Sequence, residues 1–211
     1  MLSRRLFLTF TSAFLSSATI IPVAAFAKKS TEYTETRAKF FIGKLAEEAL
    51  ISLTKSELSI VERRGLFRDL MRRYFAFDVI AKWVLGRYWK RATDFEKDEY
   101  LTLFEKLMVI TYADRFEAYT GEKLIVKKAE TRGKSDILVH SLLERPNGQE
   151  PIAVIWRLRP KHSTFKIVDV MVEGLSMGIT QQKEFSSVIR KNNNKVEGLL
   201  SELRKRVNVD T

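Results

Sequence analysis

The stretch Pro151-Ile152-Ala153-Val154-Ile155-Trp156-Arg157-Leu158-Arg159, followed by Pro160-Lys161-His162-Ser163 and then Lys166-Ile167-Val168-Asp169-Val170-Met171-Val172, decides the fold class. Ile152, Val154, Trp156 and Leu158 alternate with Ala153, Ile155, Arg157 and Arg159; Val168, Val170 and Val172 alternate with Ile167, Asp169 and Met171. A period of two in β-branched and aromatic residues specifies strands, and the short Pro-containing link between them makes the two neighbours antiparallel. One face of this pair is apolar throughout, whereas the other turns polar toward its ends, as in a sheet with one covered face.

Outward from this pair, strands are expected at about 123–130, 135–144, 151–160 and 164–173, with Pro146-Asn147-Gly148 as a hairpin turn between the second and third. Before Gly121 the period is helical. A first helix is predicted over 32–53, with Phe41, Leu45, Ala49 and Leu53 on one face. A second spans 57–75, with Ile60, Phe67, Leu70, Met71 and Tyr74 opposite Glu62, Arg64 and Arg68. A short third runs from Val79 to Leu85, capped by Asp78 and ended by Gly86. Thr93 and Glu96 form a capping box that opens the longest helix, 94–119. Its stripe is Leu101, Phe104, Leu107, Met108, Thr111 and Tyr112, with Gly121 at the C-terminal cap. Two helices, 177–191 and 195–206, flank Asn192-Asn193-Asn194 and close the chain. The expected fold is α+β, a four-stranded twisted antiparallel sheet packed against several helices. Periodicity alone does not separate a filled core from a hollow one.

The first residues set the compartment. Met1-Leu2-Ser3-Arg4-Arg5 is a basic start, Leu6 to Ala24 is uncharged and mostly apolar, and Ala25-Phe26-Ala27 supplies small residues at −3 and −1 of a cleavage site. Residues 1–27 are therefore expected to be a signal peptide cut near Ala27, and 28–211 a single exported, periplasmic domain: a helical part (32–120), a sheet (123–173) and C-terminal helices (177–206). Ser3-Arg4-Arg5-Leu6-Phe7-Leu8 looks like a twin-arginine signal, but a general secretory signal can also begin with two arginines. The whole chain carries +11; removing Arg4 and Arg5 leaves +9. A periplasmic address weighs against nucleic acid as the partner, and the basic pairs, such as Arg63-Arg64 and Arg72-Arg73, read as solvated helix faces. The residual charge suits docking on anionic headgroups or acidic protein faces.

Chemistry-bearing patterns are sparse. The chain has no cysteine, which excludes thiol nucleophiles, disulfides and thiolate metal sites, and only two histidines, His140 and His162. It contains no G-x-S-x-G elbow, P-loop, G-x-G-x-x-G or H-E-x-x-H. Asp169 and Glu173 share a strand face and form a conceivable carboxylate pair, but the expected roles are ion pairs with Arg157 or Arg159, or caps of the following turn. No enzyme is expected, and no cofactor.

One longer pattern remains. Phe77-Asp78-Val79-Ile80-Ala81-Lys82-Trp83-Val84-Leu85-Gly86-Arg87-Tyr88-Trp89 resembles the FD-x-x-x-A-x-x-x-LG-x-x-W signature of the MlaC family, also called the toluene-tolerance auxiliary family. Thr111-Tyr112-Ala113, Pro151 through Arg159, Lys166-Ile167-Val168-Asp169-Val170 and Val172-Glu173-Gly174-Leu175-Ser176 match in order, as do Phe185, Ile189 and Gly198-Leu199-Leu200. The resemblance covers roughly residues 35–206. It departs at Phe165, where the family commonly has Trp, and at Met177-Gly178-Ile179, which replaces a more aliphatic run and would loosen the start of that helix.

This resemblance implies a soluble periplasmic carrier and a monomer. Such carriers take phospholipid as cargo, holding its acyl chains in an apolar cavity between sheet and helices. They move lipid between an outer-membrane lipoprotein–porin complex and an inner-membrane ABC transporter with an MCE-domain ring, touching membrane surfaces only transiently and maintaining outer-membrane lipid asymmetry. The residues expected to line the cavity are Val154, Trp156 and Leu158 on the third strand; Val168, Val170 and Val172 on the fourth; Ile80 and Val84 on the short helix; and Leu107 and Tyr112 on the long one. The alternative is a periplasmic adaptor of the same fold with a filled core and no lipid.

Overall fold

The computed structural model describes residues 23–209 apart from Lys134 and Asn147, so most of the expected signal segment and the centre of the expected hairpin turn lie outside the described residues. The period-two stretches form one antiparallel sheet whose strands follow sequence order: β1 (Lys123–Arg132), β2 (Asp136–Glu144), β3 (Ile152–Lys161), β4 (Thr164–Val172) and β5 (Leu175–Ser176). The fifth strand corrects the expected four. Glu173 and Gly174 both take positive φ, 49° and 78°, and turn the chain back so that Leu175 and Ser176 pair with Val172 and Met171. The helical segments are α1 (Val23–Leu53), α2 (Ile60–Tyr74), α3 (Phe77–Leu85), α4 (Asp94–Ala113), α5 (Met177–Lys191) and α6 (Val196–Val209).

Local chemistry accounts for most boundaries. The box of Thr93 and Glu96 opens α4, and a second one, Ser59 with Glu62, opens α2. Ile60 therefore occupies the first helical position, where it is exposed. The buried member of that turn is Arg63: its Nε donates to Leu53 O at the end of α1 (3.1 Å) and its Nη2 to Leu58 O (3.5 Å). Helix α3 begins two residues earlier than expected. Its N-cap is Ala76, and Asp78 lies inside the first turn instead of capping it. Gly86 ends α3 at φ 60°, and a 3-10 turn, Gly86–Lys90, follows. Helix α4 stops at Ala113 and passes through a 3-10 turn, so Gly121 (φ 112°) belongs to the loop before β1 rather than to a helix cap.

Two apolar clusters organise the molecule. Helices α1 and α2 cover one end of a sheet face with Ala38, Ile42, Leu45, Leu53, Leu70 and Tyr74, against Ile137, Val139, Leu158, Phe165 and Ile167. After α2 the chain runs beside β4: Ala76 N donates to Ile167 O (2.9 Å), which occupies part of that strand's free edge. Beyond this edge α3, α4, α5 and α6 build the second cluster around Tyr100, Phe104 and Phe185. The Tyr100 and Phe104 rings stack at 5.6 Å, and Phe185 meets both edge-on at 6.1 Å. Tyr100 Oη donates to Ala81 O at 2.9 Å inside this cluster, and burial pushes its phenol well above the usual range. Tyr100→Phe should cost about 1 kcal/mol in chemical denaturation, the size of one neutral hydrogen bond; no loss would mean the bond contributes nothing net.

Candidate functional site

The sheet face beneath α1 and α2 can be read row by row from the strand register. Leu124, Leu143 and Ile152 form one row; Val126, Ser141, Val154 and Val172 the next; then Ala129, Val139, Trp156 and Val170; and finally Ile137, Leu158 and Ile167. The last row is sealed, each residue at most 2% exposed. Toward the other end the cover thins. Leu124, Val126, Leu143, Ile152, Trp156, Val170 and Val172 are all only half-buried. Apolar side chains in that condition, side by side on one sheet face, form a surface ready to hold apolar matter.

The two polar groups of this face satisfy one another. Trp156 Nε1 donates to Ser141 Oγ (2.9 Å), and Ser141 Oγ donates to Val154 O (3.0 Å). Neither indole nor hydroxyl is left seeking a partner, so the face offers contact area and little directional recognition. Ser141, 3% exposed, was not singled out from the sequence: a lone serine in a strand carries no local signal of this role.

A bulge changes the expected membership of the face. Arg157 pairs with Asp169, but Leu158 pairs with Ile167, which leaves Val168 as the extra residue of β4. Beyond the bulge Ile167 takes the position beside Leu158 that strict alternation gave to Val168. Val168 is buried, yet belongs to neither of the two clusters.

The ten residues expected to line a cavity fall in different places. Trp156, Leu158 and Val170 join the sheet cluster, with Leu158 fully buried; Val154 and Val172 extend the same face. Ile80, Val84 and Leu107 pack in the helical cluster. Tyr112 is half-buried near the end of α4, its phenol pushed up by burial against the opposing pull of Arg115, whose guanidinium sits 5.4 Å over the ring. Two clefts lie elsewhere, one of about 440 Å3 beside Ser52, Leu66, Leu70 and Arg73, and one of about 260 Å3 beside Val188, Asn192, Gly198 and Glu202. Neither is lined by any of the ten.

The carboxylates of the opposite face have structural partners. Asp169, 6% exposed, accepts from Ser176 Oγ (2.7 Å), Gly178 N (3.2 Å) and Val170 N (3.0 Å), with Arg157 Nη2 at 3.6 Å. It therefore fills both roles expected of it, ion pair and helix cap. Glu173 accepts from Ala153 N, and Arg159 pairs with Asp136 (2.7 Å) rather than with either carboxylate. His140 Nε2 lies 3.3 Å from Glu130, and His162 occupies an exposed turn at φ 53°. Among the described residues no group of three or more His, Asp or Glu side chains is placed to hold a metal ion.

Comparison with known proteins agrees with this architecture. A family model described as MlaC protein matches residues 44–205. The Haemophilus influenzae protein named intermembrane phospholipid transport system binding protein MlaC is 20% identical over 176 residues, which cover 80% of this chain and 82% of that one. A phospholipid-binding protein from Ralstonia solanacearum, solved in complex with a phospholipid, superposes with a TM-score of 0.72 at 22% identity, over 81% of this chain and 96% of the other. That likeness is one of fold. Because the family model matches well over half of the chain, from α1 into α6, this chain belongs to the MlaC family.

Proposed function

We propose that this chain is a periplasmic phospholipid carrier without catalytic activity, in which acyl chains lie against the half-covered end of the sheet face while the headgroup stays outside. The observation that carries this reading is the set of half-buried apolar side chains from Leu124 to Val172, whose two polar neighbours satisfy each other. Apolar transfer sets the energetic demand. At ~0.8 kcal/mol per methylene, two acyl chains with about 30 methylenes between them stand to lose on the order of 20 kcal/mol if left in water. Only broad apolar contact meets such a demand, so chain burial outweighs headgroup recognition. Residues 1–27 act as the signal peptide and 28–211 as the carrier domain. Among the described residues no helix is long and apolar enough to cross a membrane, which accords with a shuttle. Its exchange partners are an outer-membrane lipoprotein–porin complex and an inner-membrane ABC transporter with an MCE-domain ring.

Native mass spectrometry of protein gently purified from a bacterial periplasm should show a mass increment of one or more phospholipids. Val172→Trp and Val170→Trp, which enlarge half-buried positions, should reduce that lipid-bound fraction about tenfold while leaving the far-ultraviolet circular dichroism unchanged, if roughly 1–2 kcal/mol of chain burial is displaced. Leu158 is unsuitable for this purpose, since a tryptophan in place of a fully buried leucine would disturb the core itself. Protein that carries no lipid under any gentle purification would support the adaptor with a filled core instead.

A further inference from the structure

Six exposed cations sit on two chain segments that Tyr88 and Asn194 bring together. Arg87, Lys90 and Arg91 belong to the 3-10 turn after α3 and its cap, Arg190 and Lys191 to the last turn of α5, and Lys195 to the short link before α6. Tyr88, 1% exposed, joins the two groups. The guanidinium carbons of Arg87 and Arg91 lie 5.1 and 6.0 Å from its ring centroid, Arg87 Nη2 donates to its hydroxyl at 3.1 Å, and that hydroxyl donates to Asn194 Oδ1 at 3.5 Å. Two arginines are thus laid over a buried aromatic plate, and Lys90, Lys191 and Lys195 stand within a few residues of Arg91 or Asn194 in the chain. The neighbouring acids are engaged elsewhere: Asp94 with Lys97, Glu96 in the capping box with Thr93, and Glu197 with Arg204. Among the described residues none of the six cations forms an ion pair. One turn of chain beyond Arg91, Phe95 projects into solvent at 77% exposure.

We propose that these segments form a docking surface for an anionic lipid bilayer, with Phe95 entering the interface and the six cations lying on the headgroups. Each Lys or Arg near an anionic membrane surface contributes about a factor of five in affinity, and an exposed aromatic beside such a cluster adds apolar contact that charge alone lacks. Three of the cations are lysines on unpinned, flexible stems. Those suit fluid headgroups that adjust to them better than an acidic protein face, which needs a fixed complementary geometry. The surface is separate from the sheet face proposed to hold acyl chains, and its test reads association with vesicles and not cargo, so either idea can fail while the other stands.

The test is flotation of the processed chain, recovered from a bacterial periplasm, with vesicles of phosphatidylcholine alone or mixed with phosphatidylglycerol. Binding is expected to the mixed vesicles only and to disappear at high salt. The triple variant Lys90→Gln, Lys191→Gln, Lys195→Gln should weaken binding about a hundredfold, following the per-charge factor above, and Phe95→Ser several-fold. These four side chains are exposed, so the variants should keep their fold. The control triple Lys123→Gln, Lys127→Gln, Lys128→Gln on β1 changes net charge equally and should leave binding within about twofold, since those charges lie off the proposed surface. Absence of binding to the mixed vesicles, or equal losses in the two triples, would overturn the proposal. So would retention on an acidic protein with no vesicle binding.

Discussion

Asp169→Ala should lower the melting temperature by about 10 °C, the equivalent of roughly 3–4 kcal/mol in a domain of this size. The carboxylate is nearly fully buried and accepts from three donors. Gly178 N belongs to the first turn of α5, whose amides have no partner within the helix, so Asp169 satisfies a donor there and places a negative charge at the positive end of the helix dipole. Its ion-pair partner is Arg157, held 5.4 Å over the Trp83 ring with Nε buried and without a hydrogen bond. Alanine leaves this guanidinium without its counter-charge and Ser176 Oγ without its acceptor. Asp169→Asn separates the two contributions. It retains an oxygen for Gly178 N and Val170 N but removes the charge, and should cost about half as much. Thermal unfolding followed by circular dichroism distinguishes the cases. If alanine costs under 1 kcal/mol, the carboxylate does not anchor α5 to the sheet.

That anchor also shows which features were legible in the sequence. The box of Thr93 and Glu96 acts over three residues and Gly86 requires a positive φ at one, so both ends were placed correctly. Alternation in β3 placed Trp156 and Leu158 on one face because nothing interrupts that strand. In β4 both sets of alternating residues are largely apolar, so a one-residue bulge at Val168 leaves no trace in the pattern and only the register with β3 exposes it. The fifth strand was missed because its two residues are too short for any period; the signal was the Glu173-Gly174 turn. Ile60 and Arg63 exchanged roles for a different reason. An apolar residue is presumed inside until the helix start is known, whereas an arginine can be buried when carbonyls at the end of another helix accept from it.

The proposed site was legible to the same depth. The sheet side could be written down from period two, but an amphipathic helix reports that a face is covered and not by what. Ile80, Val84 and Leu107 satisfied every local condition for a wall and pack with α5 and α6 in the helical cluster. The link before α3 runs beside β4, held there by a backbone bond between Ala76 and Ile167, 91 residues apart in sequence, and by Lys166 Nζ, which donates to the carbonyls of Arg72 and Arg73. Long-range pairing of this kind is absent from any local window.

Gly178→Ala should destabilise the protein by about 2–3 kcal/mol, opposite in sign to the effect of the same substitution in an ordinary helix, where alanine is favoured by ~1 kcal/mol. The sequence alone suggested that Gly178 weakens the start of α5. The structure gives it a reason: a Cβ there would lie 2.0 Å from Trp83 Cζ3 and 2.8 Å from Cη2, far inside any van der Waals contact. Gln182 Nε2 donates to the backbone carbonyl of Trp83 (2.7 Å) and holds the main chain in place, while Arg157 over the ring restricts where the indole can go. Gly65 in α2 supplies the internal control, with nothing within 4 Å of the equivalent Cβ, so Gly65→Ala should stabilise by roughly 0.5–1 kcal/mol. A double-mutant cycle completes the case. Trp83→Leu removes the ring, and on that background Gly178→Ala should become neutral or stabilising, which implies a coupling of about 2 kcal/mol or more between the two sites. Additive effects of the two substitutions, or a stabilising Gly178→Ala in the native background, would show that the indole does not require glycine opposite it. The cycle therefore measures how strongly one close contact, between residues 83 and 178, joins α3 to α5.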